Sequence, residues 1–132
     1  MKTRNALAAL TLSALALPLA GVAPASARHG SGDAVRTHGG CEGPAVWKLK
    51  AKPDDGRIEV EAEVDSNRSG QVWDWKIRHD GSVSARGSST TRGASGSFSV
   101  ERRMANLAGR DHFTFRAERR ANGDVCRGTI SL

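Results

Sequence analysis

The stretch of sequence that decides the fold runs from residue 47 to residue 64 and reads WKLKAKPDDGRIEVEAEV. Apolar or small side chains alternate with lysines before its centre and with glutamates after it. Because successive side chains of a strand point to opposite faces, this alternation predicts two half-buried β-strands. Pro53-Asp54-Asp55-Gly56 lies between them and has the composition of a turn. The stretch therefore predicts a β-hairpin.

A four-residue turn at residues 53–56 predicts how the two strands pair. It sets Lys50 opposite Glu59 on one face and Leu49 opposite Val60 on the other. Opposite charges then meet on the outer face and apolar side chains meet on the inner face, which favours this register.

The rest of the chain continues as short strands separated by turn residues. Further strands are predicted at residues 72–79, 83–86, 97–103 and 113–117, with a last strand reaching residue 132. A three-residue loop at Asp80-Gly81 sets Ile77 opposite Ala85, and a two-residue loop at Asn122-Gly123 sets Phe115 opposite Ile130. No helical repeat occurs in the sequence after residue 40, so we predict a single antiparallel β-sandwich of about seven strands.

The three tryptophans bear on whether the surface binds sugars. Trp47, Trp73 and Trp75 fall at the same alternate positions as the inward aliphatic side chains. We therefore predict that they belong to the core of the domain and do not form an exposed platform for sugar rings. Tyrosine is absent from the chain, which further weakens a carbohydrate-binding interpretation.

The strand pattern resembles immunoglobulin-like and fibronectin-type-III-like domains over about residues 41–132. The resemblance is carried by Trp73 and Trp75 on the third strand and by the run LAGRDHF at residues 107–113. Phe113 stands where these families usually have a tyrosine, and it lacks the hydroxyl that ties the corner. The resemblance implies a fold and no activity. The Arg- and Ala-rich composition also resembles small secreted actinobacterial proteins.

The N-terminus predicts export from the cell. Lys2 and Arg4 precede an apolar run over residues 6–20, and Ala25-Ser26-Ala27 offers the small residues of a cleavage site. This is the pattern of a secretory signal peptide, so we predict that residues 1–27 are removed and that the product is extracellular. No second apolar segment long enough to span a membrane follows, so we expect no transmembrane anchor.

The predicted domain organisation follows from that cleavage. The 132-residue chain loses 27 residues, which leaves 105, enough for one hydrophobic core and too few for a separate cofactor domain. We interpret residues 28–40 as a flexible Gly- and His-containing leader with no packing role, and residues 41–132 as the sandwich.

The two cysteines fit an oxidising compartment. Cys41 and Cys126 are the only ones in the chain, and we predict a disulfide between them. A pair of metal-binding thiolates is the alternative, but no histidine lies at ligand spacing. In the sandwiches that the chain resembles, the first strand can run parallel beside the last, which would bring these two cysteines together.

No catalytic or cofactor motif occurs in the sequence. The four histidines are His29, His38, His79 and His112. None is placed by strand register beside both a carboxylate and a serine, as nucleophilic catalysis requires, and no zinc spacing or phosphate-binding loop occurs. His29 with the new terminal amine offers a weak copper or nickel site, and Asp54-Asp55 is interpreted as turn chemistry in preference to calcium binding. We predict no enzyme activity, no catalytic residues, no metal and no cofactor.

The sequence is basic, and the predicted sandwich collects part of that charge on one sheet. Lysine and arginine number 20 against 14 aspartates and glutamates, for a formal charge of +6. The predicted anion-binding residues are Lys76, Arg78, Arg116 and Arg127, with Arg119 and Arg120 at the adjoining hairpin. Asp74 and Glu118 share the face and partly neutralise it. The alternative is a solvated charged face with no ligand.

These observations predict a secreted, non-catalytic binding or structural module. Its expected partner is an anionic cell-wall polymer bound by the basic face, or else an extracellular protein. Nucleic acid is not expected, because no set of exposed aromatics is available to stack on bases. The alternative function is a small protease inhibitor that presents Arg68 in the loop at residues 65–70 or Arg92 in the loop at residues 88–95. A small hydrolase is the third hypothesis.

Overall fold

A computed structural model describes residues 32–132, which fold as eight β-strands without a helix. The strands are β1 (Val35–Gly40), β2 (Val46–Asp54), β3 (Arg57–Asp65), β4 (Val72–His79), β5 (Ser82–Thr90), β6 (Ser97–Ala105), β7 (His112–Arg119) and β8 (Val125–Ser131). The predicted signal peptide at residues 1–27 lies outside the described residues. Within residues 32–132, no helix is long and apolar enough to cross a membrane.

The strands form two four-stranded antiparallel sheets. The first sheet has the order β1-β2-β3-β6, and the second sheet has the order β5-β4-β7-β8. Their apolar faces enclose one core, which confirms the predicted all-β sandwich. If β1 is left aside, the third, sixth and seventh strands share a sheet, as they do in immunoglobulin-like domains.

All three tryptophans lie in this core, as predicted, with exposed fractions of 8% for Trp47, 1% for Trp73 and 4% for Trp75. Two of them also close the open edges between the sheets. Trp47 lies where β1 and β8 meet, against the backbone of Gly39 and Gly128. Trp75 closes the opposite edge, where β5 and β6 meet.

At this edge, residues of β5 and β6 cover the indole ring of Trp75. Gly87 on β5 leaves room for the ring, since a Cβ there would lie 2.8 Å from Cζ2 of Trp75. From β6, the Arg102 guanidinium lies 5.1 Å from the ring centroid, at cation–π distance. The Trp75 Nε1–H donates to the hydroxyl of Ser89 at 3.0 Å. With its polar atom bonded and its faces covered, Trp75 offers no free surface for a sugar.

The prediction of a flexible leader is wrong for residues 35–40, because they form β1 and pair with β2. A strand added to a sheet edge is held by backbone hydrogen bonds, which do not need the large apolar side chains that the leader lacks. Gly39 has a specific role, because a Cβ there would lie 2.7 Å from Cζ2 of Trp47. The Trp47 Nε1–H donates to the carbonyl of Gly40 at 3.2 Å. The sandwich therefore has eight strands, one more than predicted.

The predicted register of the β2–β3 hairpin is wrong by two residues. Lys50 pairs with Glu61, and Leu49 pairs with Ala62. The turn consists of Asp55 and Gly56 alone, with φ angles of 54° and 78°, and the strands continue through Pro53. Two successive positive φ angles are typical of a type I′ turn, which matches the twist of a hairpin better than the predicted four-residue loop.

The β7–β8 register is also wrong by two residues, in the opposite sense. Phe113 is the partner of Ile130, where Phe115 was predicted. The loop holds four residues, 120–123, closed by a hydrogen bond of 2.8 Å from the Arg119 N–H to the carbonyl of Asp124. A shift of two keeps every side chain on its predicted face, so the core composition is unaffected.

The β4–β5 hairpin confirms the predicted pairing of Ile77 with Ala85. The connection differs from the predicted three-residue loop. It is a two-residue turn at Asp80-Gly81 followed by a bulge, seen as a register shift between Ile77 and Arg78. The bulge adds the residue that the longer loop was predicted to supply.

The predicted disulfide between Cys41 and Cys126 is present in the structure. Cys41 lies in the connection from β1 to β2, and Cys126 is a fully buried residue of β8. A hydrogen bond of 2.8 Å from the Glu42 N–H to the carbonyl of Val125 accompanies the bridge. The disulfide therefore fastens the first sheet to the second beside Trp47.

Replacing Gly128 with alanine is expected to lower the free energy of unfolding by about 2 kcal/mol, since overpacking a rigid core strains it. A Cβ at residue 128 would lie 2.5 Å from Cζ3 of Trp47, whose ring is held by its bond to Gly40. The matched control is Gly40→Ala, where no atom lies within 4 Å of the new Cβ and the expected loss is under about 0.5 kcal/mol. Urea unfolding of both variants measures the difference, and equal losses would contradict the packing role of Gly128.

Candidate anion-binding face

Four cations form one straight row across the outer face of the second sheet. Lys76 on β4 lies directly opposite Arg86 on β5 and, on its other side, opposite Arg116 on β7. Arg116 in turn lies opposite Arg127 on β8. We call Arg86, Lys76, Arg116 and Arg127 the basic row. It contains three of the four predicted anion-binding residues together with Arg86, which sequence reasoning missed.

The fourth predicted residue, Arg78, lies beside the basic row. It is two residues further along β4 than Lys76 and pairs with Thr114 on β7. A surface cavity of about 340 Å³ opens between the basic row and the neighbouring pair of Arg78 and Thr114. Its lining residues are Lys76, Arg78, Thr114, Arg116 and Arg127. We call this the basic cavity, and none of the carboxylates in residues 32–132 lines it.

The acidic residue that β4 itself places on this face, Asp74, is already bound to another cation. Arg120, in the β7–β8 loop, donates from Nη2 to Oδ1 of Asp74 at 2.6 Å. The hydroxyl of Ser88 donates to the same carboxylate. These hydrogen bonds, that of Arg120 first, lower the pKa of Asp74 to about 2. Asp74 therefore stays ionised near neutral pH, with its charge directed to Arg120.

The remaining acid on this face, Glu118, pairs with one member of the row. Its Oε2 lies 2.7 Å from Nη2 of Arg116. Within residues 32–132, Lys76, Arg86 and Arg127 form no ion pair. Arg119, predicted at the same hairpin, ends β7 on the inner side, opposite Trp73, and contributes nothing to the row.

The outer face of the first sheet provides an internal comparison. There, the lysines of β2 lie opposite the glutamates of β3, although Arg36 on β1 also lies opposite Lys50 and Glu101 on β6 lies opposite Glu61. The ion pairs are Lys48–Glu63 at 3.1 Å, Lys50–Glu61, Lys52–Glu59 at 3.3 Å and Arg103–Asp54 at 2.9 Å. No row of the first sheet, however, carries charges of a single sign across all four of its strands. Like charges directly opposite each other destabilise a sheet, and the basic row alone contains three such adjacent pairs.

The described histidines do not assemble a catalytic triad. Nδ1 of His112 lies 2.6 Å from the hydroxyl of Ser131, and both residues lie at the surface. The nearby carboxylate of Asp80 accepts a hydrogen bond from the backbone N–H of His112 at 2.9 Å and so does not orient the ring. A triad needs a carboxylate on one ring nitrogen and the nucleophile on the other.

A second histidine lies in a buried polar cluster. Nε2 of His79 is 2.5 Å from Oδ1 of Asp111 and 3.6 Å from Oδ2 of Asp80. Asp111 Oδ1 also accepts a hydrogen bond from the Leu107 N–H at 3.2 Å. The spacing of these three side chains would suit a metal, but His79 and Asp111 already satisfy each other and tie the corner before β7. This cluster performs the structural role for which Phe113 lacks a hydroxyl.

The two loops considered for protease inhibition support each other at one end of the sandwich. The carbonyl of Arg68 accepts hydrogen bonds from the hydroxyls of Ser66 at 3.0 Å and Thr91 at 2.5 Å. The carbonyl of Arg92 accepts one from the Ser97 N–H at 3.1 Å. A substrate-like inhibitor offers the carbonyl of its specificity residue to the oxyanion hole of the protease. Because both carbonyls are bonded within the chain, this arrangement does not favour the inhibitor hypothesis.

Other predicted candidates fall elsewhere. His38 lies on the exposed outer side of β1, and His29 lies outside the described residues. Asp54 and Asp55 lie at the β2–β3 turn, as predicted, with Asp54 paired to Arg103.

In comparisons with known proteins, no family model, curated protein or solved structure matches the chain.

Proposed function

We propose that this chain is an exported, non-catalytic binding or structural module that contacts an anionic polymer of the cell surface through its second sheet. The observation that carries the proposal is the basic row: four cations, one on each strand and directly opposite one another, of which Arg116 alone is ion-paired among the described residues. An arrangement that costs folding stability is expected where a bound anion offsets the repulsion.

Export is supported by two features of the chain. The N-terminal pattern of residues 1–27 is that of a secretory signal, and the Cys41–Cys126 disulfide suits an oxidising exterior. Anionic polymers at a cell surface lie in that same compartment. Binding by point charges at an exposed face weakens as salt screens them, so salt sensitivity is the expected signature.

The proposal is tested with the purified, disulfide-bonded protein and insoluble cell-wall material. We expect retention that falls steeply between about 50 and 200 mM salt and disappears when the anionic polymer is stripped from the wall. The double variant K76Q/R127Q is expected to bind at least about tenfold more weakly, because each lost charge-assisted contact is worth on the order of 1 kcal/mol or more.

The matched control is K48Q/K52Q, which removes the same net charge from the outer face of the first sheet. Its affinity is expected to stay within about twofold of the unmodified protein, since distant exposed charges are screened. Equal losses in the two double variants would assign binding to net charge alone and refute a role for the second sheet. The absence of any retention on the wall material would refute the proposed function itself.

A further inference from the structure

The charges around the basic row define the direction in which a polymer can lie. A ligand that ran along β4 would meet only two cations, Lys76 and Arg78, with Asp74 before them and Asp80 after them. Along β7 it would pass from Arg116 to Glu118 in one direction and to Thr114 in the other. Asp74 and Glu118 lie opposite each other, so the adjoining row is acidic at its centre. A ligand that runs across the strands meets four cations in succession. The crosswise direction therefore offers an anionic chain a longer run of positive charge than the direction along either central strand.

The same geometry sets the length of the contact. Neighbouring strands lie about 4.8 Å apart, so four cations on four strands span about 14 Å. A flexible chain with one anionic group per repeat unit can place four consecutive charges over that span. The row ends at Arg86 and Arg127, because β5 and β8 are the edge strands of the second sheet.

The basic cavity indicates the chemistry of the anionic group. Residues that carry hydrogen-bond donors line it from three adjacent strands: Lys76 and Arg78 from β4, Thr114 and Arg116 from β7, and Arg127 from β8. A carboxylate presents two oxygens in one plane, whereas a phosphate presents a tetrahedral set that can accept from several directions. Guanidinium groups also match phosphate oxygens with pairs of hydrogen bonds. The convergence of these donors favours phosphate.

The absence of exposed rings on this face argues against nucleic acid. Each Trp and Phe of the chain is at most 8% exposed, and their rings belong to the core. Proteins that bind single-stranded nucleic acid stack bases on exposed aromatic side chains. The outer face of the second sheet provides charges and hydroxyls for a backbone and nothing for a base.

We infer that the ligand of the basic row is a base-free phosphodiester chain that lies across the strands and places four consecutive phosphates on Arg86, Lys76, Arg116 and Arg127. This inference rests on the proposed function and adds the chemistry, direction and length of the contact. Arg78 and Thr114 add donors to the phosphate that occupies the basic cavity.

The experiment measures the affinity of the disulfide-bonded protein for glycerol-phosphate oligomers of one, two, four, six and eight phosphates. Affinity is expected to rise steeply up to four phosphates. Beyond four it should rise only slightly, because a longer oligomer has more ways to place four consecutive phosphates on the basic row. The slope of log affinity against log salt is expected to be about −3 for the four-phosphate oligomer, as for four contacts with a single-stranded chain.

Variants at the two ends of the row test the crosswise seating. Arg86→Gln and Arg127→Gln are each expected to move the plateau from four phosphates to three. Lys48→Gln on the first sheet is the charge-matched control, and it is expected to leave the plateau at four. Thermal unfolding of each variant verifies that the fold is retained. An affinity that rises steadily through eight phosphates, with end variants that do not shift the profile, would overturn the seating and leave the proposed function standing.

Two further ligands test the chemistry of the anion. Oligogalacturonate with four carboxylates is expected to bind at least about fivefold more weakly than the four-phosphate glycerol oligomer. Oligothymidylate with four phosphates is expected to bind no better than that glycerol oligomer. Tighter binding of the carboxylate oligomer would overturn the assignment to phosphate, and tighter binding of oligothymidylate would overturn the assignment to a base-free chain. If neither oligomers nor wall material bind, the proposed function fails as well.

Discussion

Removal of the Cys41–Cys126 disulfide is expected to lower the free energy of unfolding by about 4 to 5 kcal/mol. The two cysteines are 85 residues apart in sequence, so the bridge restricts almost the entire unfolded domain. In the folded state it joins the β1–β2 connection to β8, at the edge that Trp47 closes. The free energy of unfolding of a small domain is only about 5–15 kcal/mol, so this loss would bring the protein close to unfolding.

Urea unfolding of the oxidised protein, the reduced protein and the C41A/C126A variant measures this effect. Reduction and double substitution are expected to cause similar losses, because both release the same loop. Reductant should leave C41A/C126A unchanged, which controls for other effects of the reagent. A loss below about 1 kcal/mol would show that the unfolded chain remains compact without the bridge and would contradict the loop-entropy explanation.

The sequence predicts the faces of this fold better than it predicts the pairings. Alternation specifies which side chains point inward, and a shift of two residues leaves that unchanged. The β2–β3 and β7–β8 registers were both wrong by two for this reason. Each error came from loop length: Asp55-Gly56 forms a tighter turn than Pro53 suggested, and Asn122-Gly123 closes a longer loop.

β1 shows a second limit of pattern reasoning. Residues 35–40 carry no apolar alternation, so nothing local indicates a strand. Their position is fixed by tertiary contact, since Gly39 accommodates the ring of Trp47 and Gly40 accepts its N–H. A glycine that faces a tryptophan across strands cannot be recognised until the register is known.

The candidate site was predicted in part from the sequence. Lys76, Arg116 and Arg127 were assigned outward on neighbouring strands, which required only parity and strand order. Arg86 was overlooked, although it ends the strand predicted at residues 83–86 and the predicted pairing of Ile77 with Ala85 already sets it opposite Lys76. That the four cations lie directly opposite one another follows from the observed registers, including the corrected β7–β8 pairing.

Replacing Asp111 with alanine is expected to lower the free energy of unfolding by about 3 kcal/mol. Asp111 is 1% exposed, and its Oδ1 accepts the Leu107 N–H at 3.2 Å and lies 2.5 Å from Nε2 of His79. Its backbone also exchanges two hydrogen bonds of 3.0 Å with Leu132. The His79 ring is stacked on Phe113 at 4.5 Å, so it cannot turn to water for a new partner. Truncation therefore removes the close partner of a buried ring nitrogen and leaves it only the carboxylate of Asp80, 3.6 Å away.

Two companion variants separate the lost partner from other effects of truncation. Asp111→Asn keeps an acceptor oxygen and is expected to lose about half as much stability. The double variant H79L/D111A removes both polar partners and is expected to be more stable than D111A alone, because no buried polar group is left unsatisfied. Urea unfolding measures all three, with the exposed Asp33→Ala as a control near zero. If the double variant is less stable than D111A, the His79–Asp111 bond is not what ties this corner, and the contacts of the imidazole ring with Phe113 must carry it.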